Sequence, residues 1–323
     1  MFVDSNVMLI KAITPIHAGS GRALGLVDMP IQKEKHTGMP KIEGSSLKGS
    51  MRELYRINNG DKSEIDKLFG PEEGDISAGL LGFTDAKLLF YPVISINTLF
   101  SYITCPYLLN RYFEDLCLGK KEKNIKVSAI LDGKCVLLND ANDSGSSPVL
   151  NQHDKKDESK DNDKDKESSL ILDQYSFEKV GSENLNEYEK IEKGIKNIGF
   201  EEGKNVVLIS DEDFVEMISL CRDIITRNRI DHETGTVKRG GLFTEEYLPS
   251  ESILYSLVLK NGIEDDSENL YDEYIKSITG IVQIGGNATI GKGIARIKVV
   301  NFIEENNVGR ERSGKDGKPK GGR

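Results

Sequence analysis

The sequence predicts an α+β protein whose sheet is built from two β-α-β units, one near each end of the chain. Val7–Thr14 (VMLIKAIT) is short, apolar on both faces and followed by Pro15, which suits a central buried strand; a glycine-rich loop and an amphipathic helix come next. The C-terminal part repeats that grammar. It has a strand at Ile253–Lys260, a helix at Glu268–Ile278 with Leu270, Tyr274 and Ile278 inward, then strand, glycine loop and strand across 281–300. Two such units are the content of a ferredoxin-like (RRM-like) core, one antiparallel sheet with helices on one side, here carrying an inserted helical region and a protruding hairpin.

The first part of that core spans 1–138. Gly44-Ser45-Ser46 opens its helix, with Ser45 or Ser46 as N-cap, Leu47, Met51, Leu54 and Tyr55 as the buried stripe, and Lys48, Arg52 and Arg56 at i, i+4, i+8 on a cationic face. Leu80–Ile96 (LLGFTDAKLLFYPVISI) reads as a strand pair. Residues 139–169 are poor in apolar side chains, highly charged and repetitive. They cannot bury enough surface to offset their ordering entropy, so a disordered acidic insertion is expected. Residues 170–225 are predicted as a helical insertion, one helix presenting Tyr188, Ile191, Ile195 and Ile198 and a second presenting Phe214, Met217, Ile218, Cys221 and Ile225. At 226–249, Thr234-Gly235 marks a turn between arms charged by Arg227, Arg229, Lys238 and Arg239, which predicts a protruding basic hairpin. Residues 250–303 complete the core. The tail from 304 to 323 is glycine-rich and basic toward its end, and is expected to be unstructured.

At 323 residues and 37% hydrophobic, the chain can supply a real core. Its longest apolar runs, 88–100 and 253–259, are interrupted or too short to cross a bilayer. Met1-Phe2-Val3-Asp4 has no basic or apolar leader character, so a cytoplasmic protein with no membrane partner is expected. Cys105, Cys117, Cys135 and Cys221 form no C-x-x-C pair and have no histidine at ligand spacing, which predicts reduced structural thiols. The net charge of −10 argues against a nucleic-acid partner until its distribution is read. Residues 139–169 carry −4 and 170–218 carry −7, so the remainder sums to +1, and residues 1–60 alone carry +3. The acidity belongs to the middle.

The basic segment Ile13–Arg56 is rich in glycine, and a glycine loop ahead of a helix can turn backbone N–H groups toward phosphate oxygens. Asp28, set there among cations, works against plain anion binding and is a candidate for chemistry. A turn cap or a pair with Lys33 or Lys35 explains it equally well. For His17, residue type alone favours a hydrogen-bonded loop histidine over a catalytic one. The Lys48, Arg52, Arg56 row fits a solvated face, and its adjacency to the loop raises the binding reading. Near the C-terminus, IGGNATIGKG (284–293) approaches a P-loop through Gly286, Gly291 and Lys292, but Gly293 stands where a hydroxyl must hold Mg²⁺. A plain glycine turn, or a second anion surface beside the first loop, fits better.

Five motifs in order, H-A-G-S-G (17–21), V-D-x-P-I-Q (27–32), T-G-x-P-x-I-x-G-S-S-L-K-G (37–49), L-F-x-E-E-Y-L-P (242–249) and G-G-N-x-T-I-G-K-G (285–293), resemble the RAMP superfamily. Within it they are similar to the repeated backbone subunits of type III-B (Cmr) CRISPR effector complexes. The resemblance implies that copies stack along a CRISPR guide RNA, beside other Cmr subunits, and that each cuts a complementary single-stranded target RNA. It also implies an RNA-binding surface, assigned here to Gly19, Gly21, Ser45, Ser46, Lys48, Arg52, Arg227, Arg229, Gly285, Gly286, Gly291 and Lys292. The hairpin would be a thumb, Asp28 the cutting residue with a divalent metal (Mg²⁺ or Mn²⁺), and His17, Glu245 and Tyr247 further groups at the cleavage site. One carboxylate can orient a proton acceptor for the RNA 2′-OH; a two-metal mechanism would need Glu245 or Glu246 to approach. The rival readings are a structural RNA-binding filament subunit without nuclease activity, a self-sufficient processing nuclease that depends on His17, and an NTPase.

Overall fold

The structure is a computed structural model that describes residues 2–23, 25–59, 61–73, 77–96, 98–118, 125–138, 169–180, 188, 191–192, 194–195, 205–262 and 268–300. The acidic insertion, apart from Ser169, and the basic tail lie outside the described residues. The elements are β1 (Phe2–Ala12), β2 (Lys41–Ile42), α1 (Gly44–Asn59), α2 (Lys62–Phe69), β3 (Leu81–Phe83), β4 (Ala86–Ile94), β5 (Phe100–Thr104) and α3 (Pro106–Leu116). Then follow β6 (Lys134–Leu138), β7 (Ser169–Leu172), β8 (Tyr175–Lys179), β9 (Val206–Ile209), α4 (Asp211–Leu220), β10 (Asp223–Ile230) and β11 (Val237–Tyr247). β12 (Ile253–Asn261), α5 (Glu268–Ser277), β13 (Thr279–Gln283), a 3₁₀ turn (Ala288–Ile290) and β14 (Ile294–Val300) close the chain.

β1 is central, as its two-faced apolar pattern predicts. It lies antiparallel between β12 (Val7↔Leu257, Leu9↔Tyr255) and β14 (Leu9↔Lys298) in a sheet ordered β13-β14-β1-β12-β4-β5-β9-β6-β8-β7. Met8, Ile10 and Ala12 face one core together with Leu47, Met51 and Tyr55 of α1 and Tyr271 and Tyr274 of α5. Val7 and Leu9 face a second core with Leu109, Tyr112 and Phe113 of α3. Helices therefore cover both faces rather than the expected one, because strands apolar on both sides must be shielded on both sides. The sheet is also mixed: β5 runs parallel to β9, and β6 parallel to β8. Its far end curls back on itself. β7 returns to the end of β4 through the Ser95↔Leu172 bridge and the hydrogen bond from Asp173 N to Ile94 O (2.8 Å).

The middle of the chain departs from the sequence reading. Residues 170–225 hold strands β7, β8 and β9 as well as α4, so this region is not a helical insertion. Short apolar runs such as Leu170-Ile171-Leu172 and the β-branched Val206-Val207 are too brief to stand out among the surrounding charges. Only part of the first expected helix is described, with Ile191 and Ile195 buried. The second ends at Leu220, capped at its start by Ser210, whose hydroxyl accepts from Asp213 N (3.0 Å). Ile225, expected on that helix, sits on β10. The hairpin starts at Asp223 rather than 226 and is a separate two-stranded sheet exposed over most of its outer length. Helix α1 begins at Gly44, so Ser45 and Ser46 lie within its first turn, and the first helical bond runs from Leu47 N to Glu43 O (3.0 Å). Among the described residues no helix is long and apolar enough to cross a membrane. None of the four cysteines forms a disulfide among the described residues.

Candidate functional site

The two glycine loops from opposite ends of the chain meet. Gly286 N donates to His17 O (2.9 Å), Gly293 N to Pro15 O (2.9 Å) and Ile13 N to Ile294 O (2.8 Å). This follows from the sheet order, since β1 and β14 are neighbours and the loops leave from the same end of them. Gly285 (φ 79°) and Gly293 (φ 80°) are in the left-handed region, and a Cβ on Gly285 would collide with the His17 carbonyl, so glycine is required there. The loop runs through a 3₁₀ turn into β14 instead of opening a helix, which removes the P-loop reading. Several of its amides are already committed: Gly286 to His17, Gly291 to Ala288 O (3.0 Å) and Lys292 to Asn287 O (3.2 Å).

The base of the hairpin locks the N-terminal loop from the other side. His17 Nδ1–H donates to the Glu246 carbonyl (2.8 Å), which fixes the tautomer and leaves Nε2 as the acceptor, beside Gly19. Asp28 is exposed, and its Oδ2 accepts from both Thr244 N (2.8 Å) and Thr244 Oγ1 (3.0 Å). Asp28 N donates back to Thr244 Oγ1 (3.0 Å). The backbone and hydroxyl donors of Thr244, helped by the charge of Arg22, hold the Asp28 carboxyl below its ordinary range. Met29 N to Thr244 O and Glu246 N to Met29 O (both 3.0 Å) continue the seam.

Beneath this seam the acids of β11 are buried. Glu246 is 1% exposed, receives Lys33 Nζ at 2.6 Å and Ile31 N at 3.3 Å, and has Arg222 at 3.9 Å. Glu245 is 5% exposed. Its Oε2 takes the Tyr247 hydroxyl (2.5 Å), Arg227 Nε (2.9 Å) and Asn287 Nδ2 (3.3 Å). Burial first, then the bond to Glu245, pushes the Tyr247 hydroxyl up to about 12, so it stays a neutral donor. Lys292 Nζ sits 4.9 Å over the Tyr247 ring.

The predicted site residues thus divide by position. Asp28, half-buried His17, Gly19, Gly21, Ser45, Gly285, Gly286 and Arg229 reach the surface, with Lys48 and Lys292 partly exposed; among the described residues Lys48, Arg229 and Lys292 have no ion-pair partner. Gln32 ties this surface to α1, its side chain joining Gly19 O (3.3 Å) to Glu43 N (2.8 Å). Glu245 and Tyr247 are interior. Two of the predicted cations are committed inside the fold: Arg227 to Glu245, and Arg52 to Gly70 O (2.5 Å), Asp66 (3.1 Å) and Glu72 (3.1 Å). The Gly44 amide is taken by Asp85 Oδ1 (2.9 Å), so a carboxylate of the chain itself occupies part of the α1 N-terminus. Thr244 and Asn287 were not singled out from the sequence. They are ordinary residues whose only signal is their place inside two of the motifs.

The donor set does not fit a resident divalent ion. Glu245 and Glu246 are neutralised by Arg227 and Lys33, and Asp28 offers one oxygen, Oδ1, that takes no hydrogen bond among the described residues. No group of three His, Cys, Asp or Glu side chains that could hold a metal occurs among the described residues.

The sequence profile described as the RAMP superfamily matches residues 9–296. The chain is 36% identical over 299 residues to the "CRISPR system Cmr endoribonuclease Cmr4" of Pyrococcus furiosus, covering 89% of this chain and 93% of that protein. It is 28% identical over 307 residues to the "CRISPR system CMR subunit Cmr4" of Saccharolobus solfataricus, covering 90% and 95%. Its fold is similar to the crystal structure of oligomeric Cmr4 from Pyrococcus furiosus, with a TM-score of 0.66 at 25% identity over 93% of this chain and 99% of that one.

Proposed function

The chain belongs to the RAMP superfamily, and from that premise and the surface described above we propose that it is a guide-RNA-binding backbone subunit of a type III-B (Cmr) CRISPR effector complex that cleaves complementary target RNA at regular intervals. The carrying observation is the exposed Asp28 carboxylate, fixed by Thr244 on a seam where both glycine loops and the hairpin base converge. A relative named an endoribonuclease at 36% identity favours cleavage by this subunit over a purely structural role. Its partners in this reading are guide RNA, target single-stranded RNA, further copies of itself and other Cmr subunits, the self-association supported by the oligomeric relative. The ferredoxin-like description is supported by the order β14-β1-β12-β4, in which α1 and α5 follow the first and third strands of a β-α-β-β-α-β unit. The separate β10–β11 sheet is the proposed thumb.

RNA supplies its own nucleophile. The 2′-oxygen attacks phosphorus in line, its proton passes to a base, and the 5′-oxygen leaves and takes up a proton, giving a 2′,3′-cyclic phosphate and a 5′-hydroxyl. Asp28, ionised at neutral pH, is placed to orient or accept the 2′-OH proton, and His17 Nε2 is a second acceptor held by the same strand. Lys48, Lys292 and Arg229 supply positive charge toward phosphates. Glu245 and Tyr247 act from inside, fixing Arg227 and Asn287 under the surface. Asp28, whose Oδ1 takes no hydrogen bond among the described residues, would be the residue to hold a Mg²⁺ or Mn²⁺ ion carried in on the RNA, and such an ion would supply positive charge to the attacked phosphate. Affinity grows by repetition along the guide, so an isolated subunit binds weakly and an assembled row tightly.

The test is reconstitution of the complex on a guide, followed by mapping of cuts in a labelled complementary target. Regularly spaced cuts ending in 2′,3′-cyclic phosphate are expected; uncut target in a fully assembled complex would refute the reading.

A further inference from the structure

We infer that Thr244 is a positioning residue for cleavage, the clamp that ties the Asp28 carboxylate to the hairpin arm. This rests on the reading of Asp28 as the cutting acid. Three hydrogen bonds close a reciprocal ring between the two residues: Thr244 N and Oγ1 both donate to Asp28 Oδ2, at 2.8 and 3.0 Å, and Asp28 N donates to Thr244 Oγ1 at 3.0 Å. Among the described residues Thr244 gives the acid's side chain its hydrogen bonds from another residue, with the charge of Arg22 beside it, and the acid stands on an exposed loop rich in small residues, Gly21-Arg22-Ala23 before it and Gly25-Leu26 beside it. Without the ring the carboxylate would sample several rotamers, and in-line chemistry tolerates little misplacement.

The clamp lies on a strand that also serves the second proton acceptor. Two residues along β11, the Glu246 carbonyl fixes His17 Nδ1 (2.8 Å), and the Glu246 amide is bonded to Met29 O (3.0 Å). One extended arm therefore orients both His17 and Asp28 from 244 and 246, and its outer part is the exposed hairpin paired through Thr226↔Thr244. A rigid strand gives more precise placement than a loop holding itself. The threonine hydroxyl is specifically required because it donates and accepts at once, which neither valine nor alanine can do.

The experiment uses the assembled complex with guide RNA and saturating complementary target, under single-turnover conditions. Thr244→Val keeps the shape and the backbone donor but removes the hydroxyl. It should slow cleavage roughly ten- to a hundredfold while leaving guide and target affinity within about twofold, the loss expected for a mis-set group that does not itself bind RNA. Thr244→Ser restores the hydroxyl and should recover to within about threefold of wild type. A wild-type rate for Thr244→Val, with Asp28→Ala inactive, would overturn the positioning role and leave the proposed function standing. Equal loss in the Val and Ser variants, or loss of rate together with loss of target affinity, would also overturn it. If Asp28→Ala itself cuts normally, the underlying reading of the acid has failed instead.

Discussion

Lys33 and Glu246 form an asymmetric pair, and the asymmetry fixes the order in which their substitutions should hurt. The Glu246 side chain is 1% exposed, whereas the Lys33 side chain is 28% exposed and 2.6 Å away. Lys33→Met leaves a carboxylate in the interior with Arg222, at 3.9 Å, as its remaining cation among the described residues. Breaking a buried pair from the exposed side costs about 3–5 kcal/mol; with Arg222 still nearby, about 3 kcal/mol is expected. Glu246→Gln keeps an oxygen for the Ile31 amide (3.3 Å) and leaves an ammonium that can turn to water, so the cost falls to about 1 kcal/mol. The double variant removes the stranded charge and should resemble Glu246→Gln alone, a coupling of about 3 kcal/mol. Urea denaturation reads these differences as midpoint shifts at constant slope. If Lys33→Met proves no more destabilising than Glu246→Gln, or the double variant no better than Lys33→Met, the buried-anchor reasoning is wrong.

Gly285→Ala forces a side chain into a left-handed residue and against the His17 carbonyl, so roughly 3 kcal/mol of stability should be lost; Gly291→Ala, left-handed but facing open space, should cost about 1 kcal/mol, and thermal melts compare the two. Arg52→Ala breaks contacts to Gly70, Asp66 and Glu72 and should lower stability by about 1–2 kcal/mol without changing the salt dependence of RNA binding, whereas Lys48→Ala should flatten that dependence by about one phosphate contact. Because Thr244 lowers the Asp28 carboxyl, the ring between them is intact above the ordinary aspartate range and is lost as the pH falls through the lowered value. Carbon-detected NMR of the Asp28 carboxyl should show titration below an ordinary aspartate, and an ordinary or raised value would contradict the hydrogen-bond assignment.

The central strand, the terminal β-α-β units and the meeting of the two glycine loops were legible because they follow from local pattern: two-faced apolar runs, helical stripes, and glycines where turns are needed. Partnership between charges was not. Arg52 and Arg227 look like surface cations in sequence, yet each is held by carboxylates or carbonyls brought in by packing. Glu245 and Tyr247 sit among the motif letters with no sign that β11 turns them inward. Strands β7 and β8 were hidden because four or five alternating residues carry little periodic signal beside an acidic run. Thr244 acquires its importance only through a contact 216 residues away in sequence.

Substitution of Asp28 by Ala in the assembled complex is the decisive measurement. Guide binding, target binding and copy number should match wild type, since the side chain is exposed and, among the described residues, is hydrogen-bonded to Thr244 at the base of the hairpin, while target RNA should remain uncut. Cuts at the usual positions and normal rate would contradict the assignment of cleavage to this acid.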